Sequence, residues 1–483
     1  MTLAECRHLA LANNLVLRAQ REALLAAGYL RKAELGAFEP DFVSELSREA
    51  NDRENTIEQT ISQGTTHFQE QNTLMSFGVE GLSLSGARYR VGWSERDLHN
   101  NLRVRSTDPL RRDFQVFLGL TLTQPLLKDF GFSATLARLR LAREDEALAR
   151  QDFRRQMMLV LGSVETAYWD LSVAQQRMQL RQDSVATAER LLAGNRDRVH
   201  EGKMAEIELV EAQAGLAQRR SLASEAQQKL VDAAGRLRTL FAEPVDGGNW
   251  LVQATDPLPA PAAPAPVEDA VRDALAQHPE YLARLHKVEQ EKIRVAYARN
   301  QRWPQVDLKA SYGLNALGPN LASAWYDLDQ HDNDSWSFGV EMRIPIGLGV
   351  RHGNELRASD AKRREALLQL KAAEVEIANN LYAAQQKVAG LSAVADNYDE
   401  VVAAGQRLLD NEQSRLTEGK SDSRRVLEVE NQYADARVAA LESRGEYEKA
   451  RIEFELSAGR LLSSRGVDLA AAEKPESRTD EPK

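Results

Sequence analysis

The side chains that most often perform chemistry are sparse in this chain and poorly spaced for it. Cys6 is the single cysteine, so no internal disulfide and no cysteine-based zinc site can form. The eight histidines include no HExxH pair, and no GxxxxGK[ST] loop is present to cradle phosphates. No catalytic constellation emerges, and no cofactor or metal is called for, so an enzyme is not expected. Lysine and arginine number 62 against 72 aspartate and glutamate, a formal net charge of −10, and the two signs are interspersed. No basic run marks a nucleic-acid site, and an acidic chain is a poor partner for a phosphate backbone.

Function must then come from architecture. Charged residues make up 28% and aromatics 6% of the chain, with Ala, Leu, Gln, Arg and Glu filling long stretches. That mixture predicts long or coiled-coil helices. No apolar run reaches about 18 residues, so no membrane-spanning helix is expected. A membrane crossing would need a closed β-barrel. Thr2–Leu11 reads as an amphipathic helix rather than a secretory leader, so a leader is expected to be missing from this sequence.

The chain repeats its own plan. Shifted by 264 positions, Leu3-Ala4-Glu5 falls on Val267-Glu268-Asp269, Ala10-Leu11 on Ala274-Leu275, and Pro40 on Pro304. Each segment predicts a helix that stops before its proline, because the residue preceding Pro is pushed towards extended geometry. Arg198-Val199-His200-Glu201-Gly202-Lys203 similarly resembles Arg415-Leu416-Thr417-Glu418-Gly419-Lys420, and both interrupt long helical patterns. The expected organisation is a first repeat over 1–242, a Pro/Ala-rich linker over 243–266, a second repeat over 267–462 and a disordered tail over 463–483.

Two periodicities fill each half. Val164, Leu171, Met178, Val185, Leu192 and Val199 recur every seven residues, as do Leu381, Val388, Ala395, Val402, Leu409 and Leu416. Leu209, Leu216, Ala223, Leu230 and Leu237, and the series from Val426 to Leu461, continue the seams after each turn. Such seams need neighbouring helices along their length. An ordinary antiparallel coiled coil would give the same spacing. Elsewhere the period is two. Val306, Leu308, Ala310, Tyr312 and Leu314 alternate with polar residues, as do Trp336, Phe338, Val340, Met342 and Ile344. Phe114, Val116, Leu118, Leu120 and Leu122 do likewise, although Phe117 breaks their polar side. Strands facing lipid on one side and a lumen on the other have this pattern, as does a soluble sheet packed on one face.

The opening TLAECRHLALANN, the helix-ending Pro40 and Pro304, LTQPLL over Leu122–Leu127, AYWDL over Ala167–Leu171 and the two RxxxG blocks together resemble the outer-membrane efflux proteins typified by TolC. The resemblance spans residues 3 to about 462. It implies an α+β membrane protein with an internal two-fold repeat, assembled as a homotrimer. Each protomer would give four strands, at 41–50, 113–124, 304–315 and 335–346, to a 12-stranded β-barrel in outer-membrane lipid. Long helices would continue it as a coiled-coil barrel across the periplasm, with the linker and tail at its equator. Asn51–Arg112 departs from that plan. Its alternating Met75, Phe77 and Val79, then Tyr89, Val91 and Trp93, are expected to form an extended extracellular hairpin, the alternative being additional barrel strands.

The resemblance also implies where function sits. The tips Arg198–Glu206 and Arg415–Ser423 would meet a periplasmic membrane fusion (adaptor) protein that links the duct to an inner-membrane pump. Arg198, Gly202, Lys203, Arg415, Gly419 and Lys420 are the expected contact residues. Glu208 and Glu211, with Arg425 and Glu428 in the second half, occupy the family's selectivity constriction. Three-residue spacing puts each pair on one helix face. Arg425 stands where an acid is expected, and is expected to pair with Glu208 or Glu428. Leu416 and Ser421 replace the Tyr and Arg that help hold TolC closed. A passive outer-membrane exit duct for efflux or type I secretion is the leading reading. A structural coiled-coil or tethering protein without channel activity is the alternative.

Overall fold

Two prolines mark where helix gives way to strand. The computed structural model describes residues 1–101, 113–202, 205–242, 252–262, 267–330, 333–344, 350–418 and 420–473. Helices α1 (Leu3–Asn13) and α2 (Leu15–Ala33) lead through a 3-10 turn to β1 (Asp41–Glu54), directly after Pro40. Then come α3 (Ile57–Gln63), β2 (His67–Leu82), β3 (Arg88–Asn100) and β4 (Asp113–Pro125). After α4 (Phe132–Thr135), the long α5 (Ala137–His200) and α6 (Glu206–Leu240) complete the first half. The second half runs α7 (Val267–Gln277), α8 (Pro279–Gln301), β5 (Gln305–Gly318), α9 (Leu321–Asp329), β6 (Asp334–Arg343), α10 (Val350–Thr417) and α11 (Ser423–Ser457). Short helices α12 (Leu461–Ser464) and α13 (Leu469–Ala472) close the described chain.

The first helix pair breaks at Asn14, whose side chain accepts hydrogen bonds from the Val16 and Leu17 amides and so caps α2. The corresponding break, at His278, precedes Pro279, which suits a first helical position because its missing N–H is not needed there. Thr2 caps α1 with a reciprocal bond to Glu5.

The chain divides into two units, each assembled from both halves. One comprises Ala27–Glu146 and Lys287–Leu367 and carries the sheet. Among the described residues the sheet has six antiparallel strands in sequence order, β1-β2-β3-β4-β5-β6. Residues 51–112, expected as an extracellular hairpin, instead supply two strands of this sheet, a correction to that expectation. β2 and β3 lie between β1 and β4 as full ladder members, and the Ser83–Ala87 turn joining them sits at the end where β1 starts and β4 finishes. The physical reason is phase. Their apolar residues alternate in step with those of their neighbours, so inclusion carries one apolar row from Phe42 to Trp336 across the sheet, with Ser44, Glu95 and Asp97 on the same face farther along the strands.

Register makes that face explicit. Phe42, Val79, Val91, Leu120, Tyr312 and Trp336 pair in one row across all six strands. The next row, on the opposite face, reads Val43, Gly78, Gly92, Gly119, Gly313 and Ser335. The glycines explain why Phe117 is tolerated on the polar side: its ring lies over Gly119 and Gly313, where any Cβ would collide with it. At the far end, α9 buries Ala324 and Leu328 against Val116 and Ala316, and leaves Trp325 and Tyr326 exposed.

The other unit comprises Met1–Ala26, Ala147–His286 and Leu368–Lys483. Its main core gathers Leu17, Phe153, Met157, Leu161, Val164, Tyr168 and Leu171 around α5, with Leu237 and Leu461. A second cluster joins α10 and α11 through Leu381, Val388, Tyr447 and Phe454. Heptad residues of both halves thus fill helix–helix seams. The expected disordered tail is corrected over Ser463–Glu473. Arg465 makes a two-point contact with the buried Glu165 at 2.9 and 3.0 Å, Arg7 reaches the same carboxylate at 2.7 Å, and Glu473 meets Arg150 and Arg154. Val467, Leu469 and Ala472 add apolar contact with the core. Polar composition misled here because each charge has a partner. Residues 474–483, 345–346 of the last expected strand, and the linker apart from 252–262 lie outside the described residues.

Phe117 and the glycine row give a direct test. A Cβ at Gly119 would lie 2.5 Å from the Phe117 ring. Gly119→Ala is expected to destabilise the sheet by about 1–3 kcal/mol, and Phe117→Ala in the same chain to restore most of the loss. Semi-native gel mobility against temperature reads both effects.

Candidate functional site

The two tips are built by different devices. α5 ends when Gly202 turns left-handed at φ 71°, a conformation cheap only for glycine, and its amide donates to the Val199 carbonyl at 2.9 Å. Arg198 lies in the last turn of α5, where a cation faces the negative end of the helix. At the second tip the Lys420 amide donates to the Arg415 carbonyl at 2.8 Å, and Asp422 caps α11 by accepting from the Arg425 amide at 2.7 Å. Glu412 is buried and gathers Arg415, at 3.4 Å, together with the Ser421 hydroxyl. Ser421 therefore ties its own tip together. Lys203 and Gly419 lie outside the described residues.

Glu206 and Glu208 occupy the first turn of α6, at the positive end of the helix, and Glu211 is exposed one turn on. Arg425 pairs with Glu428 at 2.8 Å, with both side chains about half exposed. Among the described residues the ion pair of Arg425 is with Glu428 and not with Glu208. In the same stretch Ile207 is 64% and Val210 55% exposed, large apolar residues interleaved with the acids. The sequence reading passed over both. Their signal was visible, since neither belongs to the Leu209–Leu216 seam. An exposed apolar pair framed by charge is a contact surface in miniature.

A second missed feature lies deeper. Arg219 of α6, only 4% exposed, donates to Glu430 at 3.1 Å and to Asn431 at 2.9 Å, both on α11. Its position is the clue, because Ala212, Arg219, Ala226 and Ala233 recur every seven residues and all are buried. One arginine thus sits in a seam of alanines. Ion pairs Arg181–Asp435 at 3.1 Å and Lys449–Asp170 at 3.0 Å link α5 to α11, and Arg444–Asp399 at 2.6 Å links α10 to α11. Among the described residues no cluster of three or more His, Cys, Asp or Glu is placed to hold a metal ion.

The family model described as outer membrane efflux protein matches residues 81–243 and 270–460. β3 to β6 fall within these matched residues, while β1 and nearly all of β2 precede them. The outer membrane efflux protein BepC of Brucella suis biovar 1 (strain 1330) is 24% identical over 367 residues, covering 74% of this chain and 75% of the relative. The same fold is found in CusC, with a TM-score of 0.69 at 16% identity, covering 95% of this chain and 92% of that one. The CmeC outer membrane channel of Campylobacter jejuni gives 0.66 at 16% identity, covering 95% and 85%.

The Arg219–Glu430 pair is testable alone. Burial pushes the Glu430 carboxyl above the usual carboxylate range, while Arg219 and Arg190 pull it down. Arg219→Ala leaves that carboxylate buried and is expected to cost about 3 kcal/mol at neutral pH. An acid whose folded value lies above its unfolded one contributes stability below the unfolded value and loses it as pH rises through the folded one. The variant's deficit should therefore shrink on acidification towards the ordinary carboxylate range. Hydrogen exchange of the α11 amides at several pH values measures it, and Arg219→Met with Glu430→Leu should recover most of the loss.

Proposed function

Because the chain belongs to the outer membrane efflux protein family, we propose that three copies form a passive exit duct, which a periplasmic adaptor protein connects to an inner-membrane pump. The chain is an outer-membrane protein that extends into the periplasm, and it is not an enzyme. One observation carries the proposal: an apolar row, Phe42, Val79, Val91, Leu120, Tyr312 and Trp336, that crosses every strand of the sheet, backed by a glycine-rich row on the opposite face. That is the pattern of a wall between lipid and water. Phe42, Leu46, Trp336, Phe338, Val340 and Met342 on the two outer strands are all largely exposed in the single chain. Lipid and neighbouring copies are the partners such residues need.

The helical hairpins supply the duct's periplasmic part, and their tips its entrance. The adaptor meets Arg198, Gly202, Lys203, Arg415, Gly419 and Lys420, with Ile207 and Val210 adding apolar contact. Glu208 and Glu211, repeated three times by symmetry, ring the entrance with carboxylates. Such a ring concentrates cations and repels anions. Arg425, held by Glu428, trims the charge contributed by the second half.

The test is conductance of the purified trimer in planar bilayers. Cation-selective channels are expected in native protein. Glu208→Gln with Glu211→Gln should lower the cation-to-anion permeability ratio severalfold at 0.1 M salt and change it little at about 1 M, where the Debye length shrinks to about 3 Å. A detergent-independent monomer without conductance would instead support a tethering protein.

A further inference from the structure

The six-stranded sheet raises a question that the duct reading leaves open, and the answer rests on that reading. A sheet of six strands is below the smallest single-chain membrane barrels, of about eight. Its outer edges, β1 and β6, would leave backbone N–H and C=O groups without partners in lipid, which is not tolerated. With an even number of strands, all antiparallel, β1 and β6 run in opposite directions. The β6 edge of one copy therefore meets the β1 edge of the next in the same antiparallel sense, and the pattern repeats without a fault.

We infer that the β2–β3 hairpin belongs to the barrel wall, so that three copies of six strands close an eighteen-stranded cylinder, with β6 of each copy paired to β1 of the next.

Three observations integrate the hairpin. The row from Phe42 to Trp336 passes through Val79 and Val91 without a polar break, and the small-residue row beneath it passes through Gly78 and Gly92. Aromatic contacts cross the same strands on the apolar face: Phe42 to Phe77 at 6.4 Å, Phe77 to Trp93 at 5.1 Å, and Trp93 to Trp325 of α9 at 6.1 Å. The hairpin turn is also fastened. The Gly131 amide donates to the Ser85 carbonyl at 3.1 Å, the Ser85 hydroxyl donates to Gln124 at 3.1 Å, and Gly86 holds φ 91° against the Asp129 carbonyl, where a side chain would not fit. A loop lying over the barrel would need none of these.

Function changes with the count. Barrel diameter grows about linearly with strand number, so this opening is about one and a half times as wide as a twelve-stranded one. Barrels of about this size leave an open aqueous channel. Selection by size then falls to the helical entrance, and the outer-membrane end can pass bulkier solutes than a twelve-stranded barrel would.

Cysteine cross-linking tests the closure. Val43, Ser47 and Asn51 of β1, Ser94 of β3 and Ser337 of β6 share the polar face. Each of Val43→Cys, Ser47→Cys, Asn51→Cys and Ser94→Cys is combined with Ser337→Cys in the full chain and treated with a short bis-thiol reagent in outer membranes. The native Cys6 is buried and its thiol is pushed up to about 11 by that burial, so it does not compete. The expected result is covalent trimers from at least one β1 pair, at least tenfold above the Ser94→Cys pair. Trimers linked through Ser94→Cys alone would put the edge at β3 and overturn the inference, as would trimers linked by neither pair or ladders that stop at dimers. A chain that runs as a monomer in detergent overturns the duct reading beneath it, and this inference falls with it.

Discussion

In lipid a backbone N–H or C=O has no water to turn to, and each one left unpaired costs several kcal/mol. This constraint orders the strand-bearing unit. On the closure proposed above, it gives every strand two neighbours, makes the free edges β1 and β6 the sites of assembly, and leaves alternation to decide what faces outward. The apolar row from Phe42 through to Trp336 follows that logic at mid-strand. A shift of one residue in any strand would carry its polar side chains to the lipid face. The glycines of the adjacent row serve the same end. They let the backbone curve and leave room for Phe117, a bulky apolar ring on the polar face.

The helical unit answers a different demand. Its surfaces are too polar to collapse into one thick core, so stability comes from narrow seams repeated along the helices and from ion pairs that cross between them. Exposed pairs such as Lys387–Glu453 contribute little individually. Their value is in matching neighbours: they favour one sliding register between long helices over others displaced by a heptad. Buried contacts fix the ends. Glu165 takes Arg7 from the first helix and Arg465 from the last described segment, fastening both ends of the chain to α5. Tyr168 beside it accepts a hydrogen bond from the Asp256 amide and donates to the Met1 carbonyl, adding the linker to the same junction.

Much of this was legible from residue spacing. The prolines at 40 and 304, the heptads and the two-residue alternation placed the long helices and four of the strands. The other two strands were visible as alternating pieces but were assigned to a loop. Alternation states that a segment is a strand, whereas only pairing states which sheet it joins, and pairing is not local. The tail failed for a related reason: Arg465 and Glu473 look solvated until Glu165, 300 positions from Arg465, is placed beside the first of them. At the tips, the glycine turn at 202 was readable because φ preferences are local. The Arg425–Glu428 pair followed from helical spacing. Ile207 and Val210 stay exposed, so no packing pattern drew attention to them.

Arg219 shows what local pattern cannot decide. A cation in a seam otherwise made of alanine is expensive, and Glu430 with Asn431 offsets only part of its desolvation, since two of its guanidinium nitrogens, Nε and Nη1, find no acceptor. Alanine alone would let α6 and α11 slide, because one small residue packs much like the next. A single buried polar contact makes every shifted register worse than the native one by leaving both charges unpaired. Helices that line a conduit need such a pin more than helices in a thick core do, for no third layer of side chains holds them in step. On this argument the pair contributes little to overall stability and much to alignment of the helix tips, which carry the entrance acids and adaptor contacts proposed above.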